Sequence, residues 1–421
     1  MKVLWLCNIM LPMIAEQLGR EASNKEGWLT GLAQQILLHK EENQIELGVC
    51  YPVSKKQEPK SGNAAGIHYF EFQEDTLRPE KYDLSLEDRF KEIIQQFQPD
   101  VVHCFGTEYP HTLAMTKACQ DKSKVLIGIQ GLCYLYADRY FADLPKSVVN
   151  RYLLRDFLKW DNIRIGRDKF VKRGQYEKKA LTLTGNITGR TDWDRAAAKE
   201  CNPDAKYHFM NETLRSNFYQ KQWSYEQCQP YSIFLSQGNY PIKGLHYMLQ
   251  AMPEILKKYP KAQVYVAGDV ITRYESLKDK IKIGSYGKYC LDLMNKFGIK
   301  DQVHFVGRLS AEQMCERYLK SHVFVSPSSI ENSPNSVGEA MLLGMPVVSS
   351  QVGGVANMLQ TEKEGILYPY QDTQALADAV CRVFENQKNA ILMGQNARAH
   401  ALKTHDGNAN YVRLMEIYSQ I

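Results

Sequence analysis

The stretch that decides the fold is HVFVSPSSIENSPNSVGEAMLLGMPVVSS, residues 322–350. It has apolar runs at 322–327 and 346–350, separated by a polar loop and a short apolar segment that ends at Gly344. This pattern predicts a strand, a loop, a short helix and a second strand. Glu331 falls in the loop and Glu339 in the first helical turn. Because ligands of parallel sheets bind at the carboxyl ends of strands, the pattern predicts a ligand site at these carboxylates.

The spacing of the two glutamates indicates the kind of ligand. Glu331 and Glu339 are eight residues apart, which suits a ligand with two separate polyhydroxyl groups. A nucleotide sugar has two, the transferred sugar and the ribose, and the helix start between the glutamates offers N–H groups to a phosphate. Structural interpretations stay open, because Ser336 and Glu339 have capping-box spacing and Glu331 can be a solvated loop carboxylate.

Composition sets the broad class. A chain of 421 residues predicts two domains of about 100–200 residues each. The net charge of +5 is mild, which argues against a nucleic-acid partner. No apolar run reaches the ~18–20 residues that span a bilayer, and the amino terminus predicts a buried strand rather than a signal peptide. Ten scattered cysteines without metal-ligand spacing predict a reducing, cytoplasmic location.

Strands and helices alternate along the whole chain. In the second half, strands are predicted at 231–235, 264–268, 303–306 and 322–325, with helical periodicity between them. In the first half, strands are predicted at 2–7, 45–51, 67–72, 101–104 and 125–130. This alternation predicts an α/β protein with two doubly wound parallel sheets and a cleft between them. We place the first domain at 1–216, a linker at 217–229 and the second domain at 230–405, with a last helix at 408–421 packing back on the first domain.

Two glycine-containing loops are candidate ligand contacts. Gly238 to Gly244 follows the first strand of the second half and contains Lys243, so it predicts a phosphate-binding turn at a helix start. Gly27 opens a helix after the first strand, where the backbone could approach a ligand or form an ordinary turn.

Taken together, these residues resemble glycosyltransferase family four, the retaining transferases of the GT-B fold. The resemblance is strongest over about 230–385, in Lys243-Gly244, the two glutamates, the motif EAMxxGxPVV at 339–348 and Gly353-Gly354. It implies two Rossmann-like domains that face a central cleft. It also implies a nucleotide-sugar donor in the second domain, an acceptor mainly in the first, and neither a cofactor nor a metal.

The resemblance implies a role for each matching residue. Lys243 would bind the diphosphate and Glu331 the hydroxyls of the donor sugar, as the catalytic pair, while Glu339 would bind the ribose. The further donor-binding residues implied are Gly238, Asn335, Ser336, Val337, Arg308 and Leu309. The acceptor-side residues implied are Gly27, Gln130 and Arg190.

Two positions depart from the family pattern. Gly238 stands where the family often has an arginine, and Gln130 stands where it often has a histidine. Diphosphate binding would then depend on Lys243, the helix dipole and a further base such as Arg190 or Arg308. A retaining transfer by same-face attack needs no protein base, because the leaving phosphate can accept the proton.

The predicted function is retaining transfer of a hexose or N-acetylhexosamine from a nucleotide diphosphate sugar, with UDP-sugar favoured over GDP-sugar. The acceptor would be a saccharide or a lipid-linked saccharide, in the assembly of a surface polysaccharide such as a capsule or exopolysaccharide, or of a glycolipid. Segment 188–195 also resembles one seen in capsule and exopolysaccharide members. A nucleotide-sugar epimerase and a catalytically inactive binding subunit are the alternatives.

Two further segments have alternative interpretations. The stretch 140–173 interleaves basic and aromatic residues, which fits either an anionic surface at the inner face of the membrane or a solvated helix face. Asp192 and Asp194 match the DxD pattern of metal-dependent transferases. We interpret them as acids at a helix start.

Overall fold

The computed structural model describes residues 1–21 and 27–421. These residues form two compact units. The first unit comprises Met1–Ala137, Lys169–Arg215 and Thr404–Ile421, and the second comprises Asp138–Asp168 and Ser216–Lys403. None of the described helices is long and apolar enough to cross a membrane.

The described residues contain fourteen strands, numbered in chain order. They are β1 Lys2–Leu6, β2 Glu46–Val53, β3 Ser61–Ala64, β4 Ile67–Gln73, β5 Val101–Phe105, β6 Val125–Gly128, β7 Asn186–Gly189, β8 Lys206–Phe209, β9 Gln229–Leu235, β10 Gln263–Ala267, β11 Val303–Gly307, β12 Ser321–Ser326, β13 Val347–Ser350 and β14 Ile366–Tyr368.

The α-helices of the described residues are numbered in the same way. They are α1 Pro12–Gln17, α2 Gly27–Leu38, α3 Lys40–Asn43, α4 Ser85–Phe97, α5 His111–Ala118, α6 Cys133–Arg139, α7 Lys146–Val149, α8 Leu154–Lys159, α9 Ile163–Leu183, α10 Asp192–Cys201, α11 Asn217–Gln220, α12 Leu245–Lys258, α13 Leu277–Lys282, α14 Ser285–Phe297, α15 Ala311–Leu319, α16 Asn335–Leu343, α17 Val355–Met358, α18 Thr373–Glu385, α19 Gln387–Thr404 and α20 Gly407–Tyr418.

The first unit is built on an eight-stranded sheet in the order β3-β4-β2-β1-β5-β6-β7-β8. All neighbouring pairs are parallel except β3 with β4. The last helix, α20, packs on this unit. The hydroxyl of Tyr418 accepts a hydrogen bond of 2.8 Å from Trp5 Nε1 in β1 and lies 2.8 Å from His103 Nδ1 in β5.

The second unit contains a six-stranded, wholly parallel sheet in the order β11-β10-β9-β12-β13-β14. Strand β12 is buried along its whole length, as expected for a parallel strand covered on both faces. Phe324 in this strand lies opposite Phe234 of β9 and Val347 of β13. The carboxyl ends of β9, β12 and β13 are therefore neighbours at one edge of the sheet.

The predicted pair of doubly wound, Rossmann-like sheets is confirmed, and the predicted strands differ from the observed ones mainly at their ends. Four strands were not predicted: β3, β7, β8 and β14. Each has only three or four residues and lies at or next to a sheet edge. Such short strands carry too few side chains for a periodic signal.

One segment lies in a different unit from the one expected for it. Residues Asp138–Asp168 pack with the second unit, although the sequence placed them in the first domain. Val148 and Ile163 join the apolar core around β9 and α12, and Arg151 donates to Asp292, 141 residues further along, at 3.1 Å. The expected linker 217–229 also belongs to the second unit and begins with α11.

Candidate active site

Three loops meet at the carboxyl edge of the second unit's sheet, after β9, β12 and β13. The loop after β9 ends in a turn at Gly244, where φ is +70°. The N–H of Ser329 in the loop after β12 donates to the carbonyl of Ile242 at 2.8 Å. A Cβ on Gly244 would lie 1.8 Å from the carbonyl oxygen of Pro327, so only glycine allows these two loops to pack this closely.

The central contact of the site is a buried ion pair. Lys243 Nζ lies 2.5 Å from Glu331 Oε1, and the two side chains are only 19% and 7% exposed. The hydroxyl of Ser328 donates to the same oxygen at 2.8 Å. Burial lowers the pKa of Lys243, but the charge and hydrogen bond of Glu331 outweigh that effect and raise the pKa above its ordinary value. Lys243 is therefore cationic throughout the physiological pH range.

The loop after β13 fixes the backbone of Glu331. The N–H of Gly354 donates to the Glu331 carbonyl at 3.1 Å. Gly353 has a φ of +50°, and a Cβ on it would lie 1.9 Å from the same carbonyl oxygen. Gly353 and Gly354 thus pack directly against the main chain of Glu331 and so fix the position of its carboxylate.

Helix α16 begins at this edge, and its start differs from the prediction. The N-cap is Pro334, so Ser336 already lies inside the helix, and the predicted capping box between Ser336 and Glu339 is wrong. Asn335 to Val337 form the first helical turn rather than a loop, and the Val337 N–H donates to the Pro334 carbonyl at 2.9 Å. Glu339 is buried at 5% exposure. The N–H groups of Asn335 and Ser336 have no acceptor within the helix, as at any helix start.

Of the other residues predicted for the donor side, Arg308 and Leu309 follow β11 and Gly238 lies in the loop after β9. Arg308 forms a bidentate ion pair with Asp269, with distances of 2.7 and 2.8 Å, and its side chain is exposed. Leu309 follows it in the same loop. Gly238 packs against Val266 of β10, where a Cβ would lie 2.8 Å from a methyl carbon.

A cavity of about 740 Å³ opens beside these loops, entirely within the second unit. It is lined by the loop after β9, the ends of β10 and β11, helix α13 and residues from the 138–168 segment. Asn162 from this segment is buried, and its amide nitrogen has no hydrogen-bond partner among the described atoms. The sequence did not indicate this residue, because no motif surrounds it and most of the cavity lining comes from residues 239–307.

The acceptor-side candidates lie in the first unit, and two of them meet. The Gln130 amide donates to Glu212 Oε1 at 2.6 Å, and Arg190 forms an ion pair with the same carboxylate. Arg190 also donates to the Gln130 side chain at 3.3 Å. Gly27 lies instead beside Arg215, where a Cβ would be 2.3 Å from a side-chain carbon. Glu212 was missed because no motif surrounds it.

A buried carboxylate in the same unit was also missed. Glu177 on α9 bonds to the hydroxyl of Thr107 and accepts from the Tyr134 N–H at 3.0 Å. Burial raises the pKa of Glu177 to about 8, and the nearby Glu108 carboxyl adds to the rise. This side chain can hold a proton near neutral pH. Its helical context alone does not reveal burial of this kind.

The DxD pattern has a structural role. Asp194 is the third residue of α10 and forms a capping box with Thr191. Its carboxylate accepts from the Arg190 N–H at 2.9 Å and from the hydroxyl of Tyr207 at 2.5 Å. The prediction of a helix-start pair of acids is confirmed.

Residues 217–400 match the family model described as "Glycosyl transferases group 1". A D-inositol 3-phosphate glycosyltransferase of Corynebacterium urealyticum is 26% identical over 186 residues, 43% of this chain and 41% of that protein. The amylovoran biosynthesis glycosyltransferase AmsK of Erwinia amylovora is 30% identical over 130 residues, 29% of this chain and 32% of that protein. The matches to the first curated relatives thus span between about a quarter and two fifths of their length.

Solved structures match along the entire chain. Sucrose-phosphate synthase from Thermosynechococcus elongatus has a TM-score of 0.71 at 16% identity, with 100% of this chain and 98% of that chain covered. Anabaena Alr3699/HepE in complex with UDP and glucose has a TM-score of 0.66 at 13% identity, with full coverage of both chains. At these identities the likeness shows the fold.

The fold and the family match agree. The chain has the GT-B fold, and its residues 217–400 are similar to the group 1 glycosyl transferases. The predicted resemblance to family-four transferases of this fold is thereby confirmed.

Gly244→Ala should destabilise the protein much more than Gly298→Ala. Both glycines have a similar positive φ, +70° and +66°, but a Cβ at Gly298 meets nothing within 4 Å. The control should therefore cost only the roughly 1–2 kcal/mol of a left-handed alanine, while Gly244→Ala adds a clash with the Pro327 carbonyl. Urea unfolding of both variants measures the difference. Equal losses would show that the two loops are not in close contact.

Proposed function

We propose that this protein transfers a hexose or N-acetylhexosamine from a nucleotide diphosphate sugar to a saccharide or lipid-linked acceptor. The observation that carries the proposal is the buried Lys243–Glu331 pair beside the start of α16. A lysine kept cationic in a partly desolvated site suits a diphosphate, and a carboxylate suits sugar hydroxyls. A buried ion pair contributes little to stability, so a purely structural role does not explain why this pair lies at the carboxyl end of the strands.

The donor would occupy the edge where the three loops meet. Lys243 and the first-turn N–H groups of α16 would bind the diphosphate, whose negative charge is favoured by the helix dipole. Glu331 would then exchange part of its contact with Lys243 for the donor-sugar hydroxyls. Glu339, buried in the second turn of α16, would accept from the ribose hydroxyls.

The nucleoside would extend towards the ends of β10 and β11. The cavity beside them has room for a nucleoside, and the backbone at Gly307 borders it. Because Arg308 is bound to Asp269 and Arg190 lies in the first unit beside Glu212, we assign the diphosphate contact to Lys243 rather than to either arginine. We favour UDP as the nucleotide, supported by the UDP complex of the structural neighbour HepE.

The transfer itself would retain the anomeric configuration and need no metal. The acceptor oxygen would attack the anomeric carbon on the face from which the phosphate leaves. The bond from this carbon to the phosphate oxygen breaks as the new glycosidic bond forms, and the acceptor's proton passes to the leaving phosphate. Lys243 and the α16 dipole would stabilise the charge that develops on the diphosphate.

The acceptor would bind in the first unit, around Gln130, Arg190 and Glu212. This cluster offers an amide, a guanidinium and a carboxylate within hydrogen-bond distance of one another. Such a mixed set of donors and acceptors suits sugar hydroxyls. We place the reaction in surface polysaccharide or glycolipid assembly in the cytoplasm, which the name of the amylovoran relative supports. Contact with the inner face of the membrane is part of this proposal.

Lys243→Met should weaken UDP binding about tenfold to a hundredfold, because a charge-assisted contact contributes ~1.5–3 kcal/mol. Uridine affinity should stay unchanged. Isothermal titration calorimetry with both ligands measures this difference. Lys257→Met is the control, since Lys257 is an exposed lysine on α12 of the same unit. Equal losses for uridine and UDP would remove Lys243 from the diphosphate role.

The product linkage should keep the anomeric configuration of the donor sugar. Proton NMR of the first product formed from a UDP-sugar and a saccharide acceptor measures it, and released UDP is assayed in the same reaction. An inverted anomer would contradict the mechanism. An epimerised donor without released UDP would contradict transfer itself and favour the epimerase.

A further inference from the structure

Two short helices of the second unit carry apolar side chains that the fold leaves uncovered. Helix α8 and helix α13 pack against each other. Phe157 and Leu158 on α8 are each 65% exposed, and Leu277 on α13 is 79% exposed. Ile281, one turn further along α13, is also exposed, as is Trp160 immediately after α8. We call this paired surface the α8–α13 face.

The face is basic as well as apolar. Apart from Arg155 and the buried Asp156, the two helices contain four basic residues and one acidic residue, which are Lys159, Lys278, Lys280, Lys282 and Asp279. Asp279 is occupied by the helix cap, because its carboxylate accepts from the N–H and the hydroxyl of Ser276. In the part of the chain that the structure describes, Lys159, Lys278 and Lys282 form no ion pair. The face therefore presents an excess of uncompensated positive charge among its apolar side chains.

Hydrogen bonds and ion pairs fix α8 in place. They also show which residues of this part of the basic stretch 140–173 are already engaged in contacts within the protein. The carboxylate of buried Asp156 accepts from the Leu153 N–H at 3.1 Å and from the hydroxyl of Ser285. Arg155 donates to Asp161 at 3.2 Å and Arg151 donates to Asp292 at 3.1 Å. Arg151 therefore anchors the segment on α14, while Arg155 is paired within the segment itself. On α8 this leaves the apolar side chains and Lys159 for a partner. They are joined there by α13, which lies outside the stretch 140–173.

We propose that the α8–α13 face docks on an anionic bilayer surface. Exposed aromatic and aliphatic residues among lysines match an interfacial layer, where apolar side chains enter the headgroup region and basic ones meet lipid phosphates. A second copy is disfavoured as the occupant, because a symmetric contact would set these lysines against their own counterparts. The face shares Lys278 and Lys282 with the lining of the donor-side cavity. Docking would thus bring the cavity wall close to a membrane that holds a lipid-linked acceptor. Only this link to the acceptor rests on the proposed function.

The test is co-sedimentation of the full chain with vesicles of phosphatidylcholine alone and of phosphatidylcholine with phosphatidylglycerol. The wild-type protein should bind the anionic vesicles and release them at high salt. The triple variant Phe157→Ser, Leu158→Ser, Leu277→Ser should lose about tenfold or more in vesicle affinity. The double variant Lys159→Gln, Lys280→Gln, which leaves the cavity lining unchanged, should also lose about tenfold or more, since each basic residue near such a surface contributes roughly a fivefold factor.

The matched control replaces exposed leucines elsewhere, as Leu77→Ser, Leu84→Ser, Leu392→Ser, and should bind vesicles like the wild type. UDP affinity of every variant reports whether the donor site is intact, so loss of vesicle binding alone separates this proposal from the proposed function. The proposal is overturned if wild-type protein ignores anionic vesicles, or if the apolar variant binds as well as the control. It is also overturned if sedimentation velocity without vesicles finds a dimer that the apolar variant abolishes, which would make a second copy the occupant.

Discussion

The ion pair between Lys243 and Glu331 is the contact on which the second unit's site depends. Removing two charges from water is costly, and a buried pair is tolerated only where further hydrogen bonds complete it. Here Ser328 donates to the carboxylate, and the carbonyl of Glu331 is held by the Gly354 N–H. The ion pair joins the loop after β9 to the loop after β12, and the Gly354 N–H joins the loop after β13 to them. A site organised in this way does not have to order its loops when the donor binds.

Two glycines make this connection sterically allowed. Gly244 and Gly353 both have positive φ, and both lie where a Cβ would collide with a carbonyl oxygen of the loop after β12. The carbonyls are those of Pro327 and Glu331, which bracket the short loop that carries the carboxylate. The two glycines therefore fix the loop after β12 from both sides. The parallel register of β9, β12 and β13 sets the distances between the three loops.

The sequence revealed those parts of the fold whose determinants are local. Strand β12 and helix α16 are predicted by apolar runs and by the glycine that ends the helix. Lys243, Glu331 and Glu339 are predicted as site residues by the family motif. The capping box between Ser336 and Glu339 does not form because the N-cap is Pro334, two residues before Ser336. The placement of 138–168, the role of Glu212 and the burial of Asn162 and Glu177 depend on contacts between residues far apart in the chain. Local periodicity carries no information about such contacts.

A crystal structure of the protein with bound UDP would test the diphosphate role of Lys243 most directly. We expect diphosphate oxygens at about 2.7–3.2 Å from Lys243 Nζ and from the first N–H groups of α16, with the Lys243–Glu331 contact lengthened. The ribose hydroxyls should meet Glu339. A nucleotide bound elsewhere, with the Lys243–Glu331 pair intact, would contradict the account.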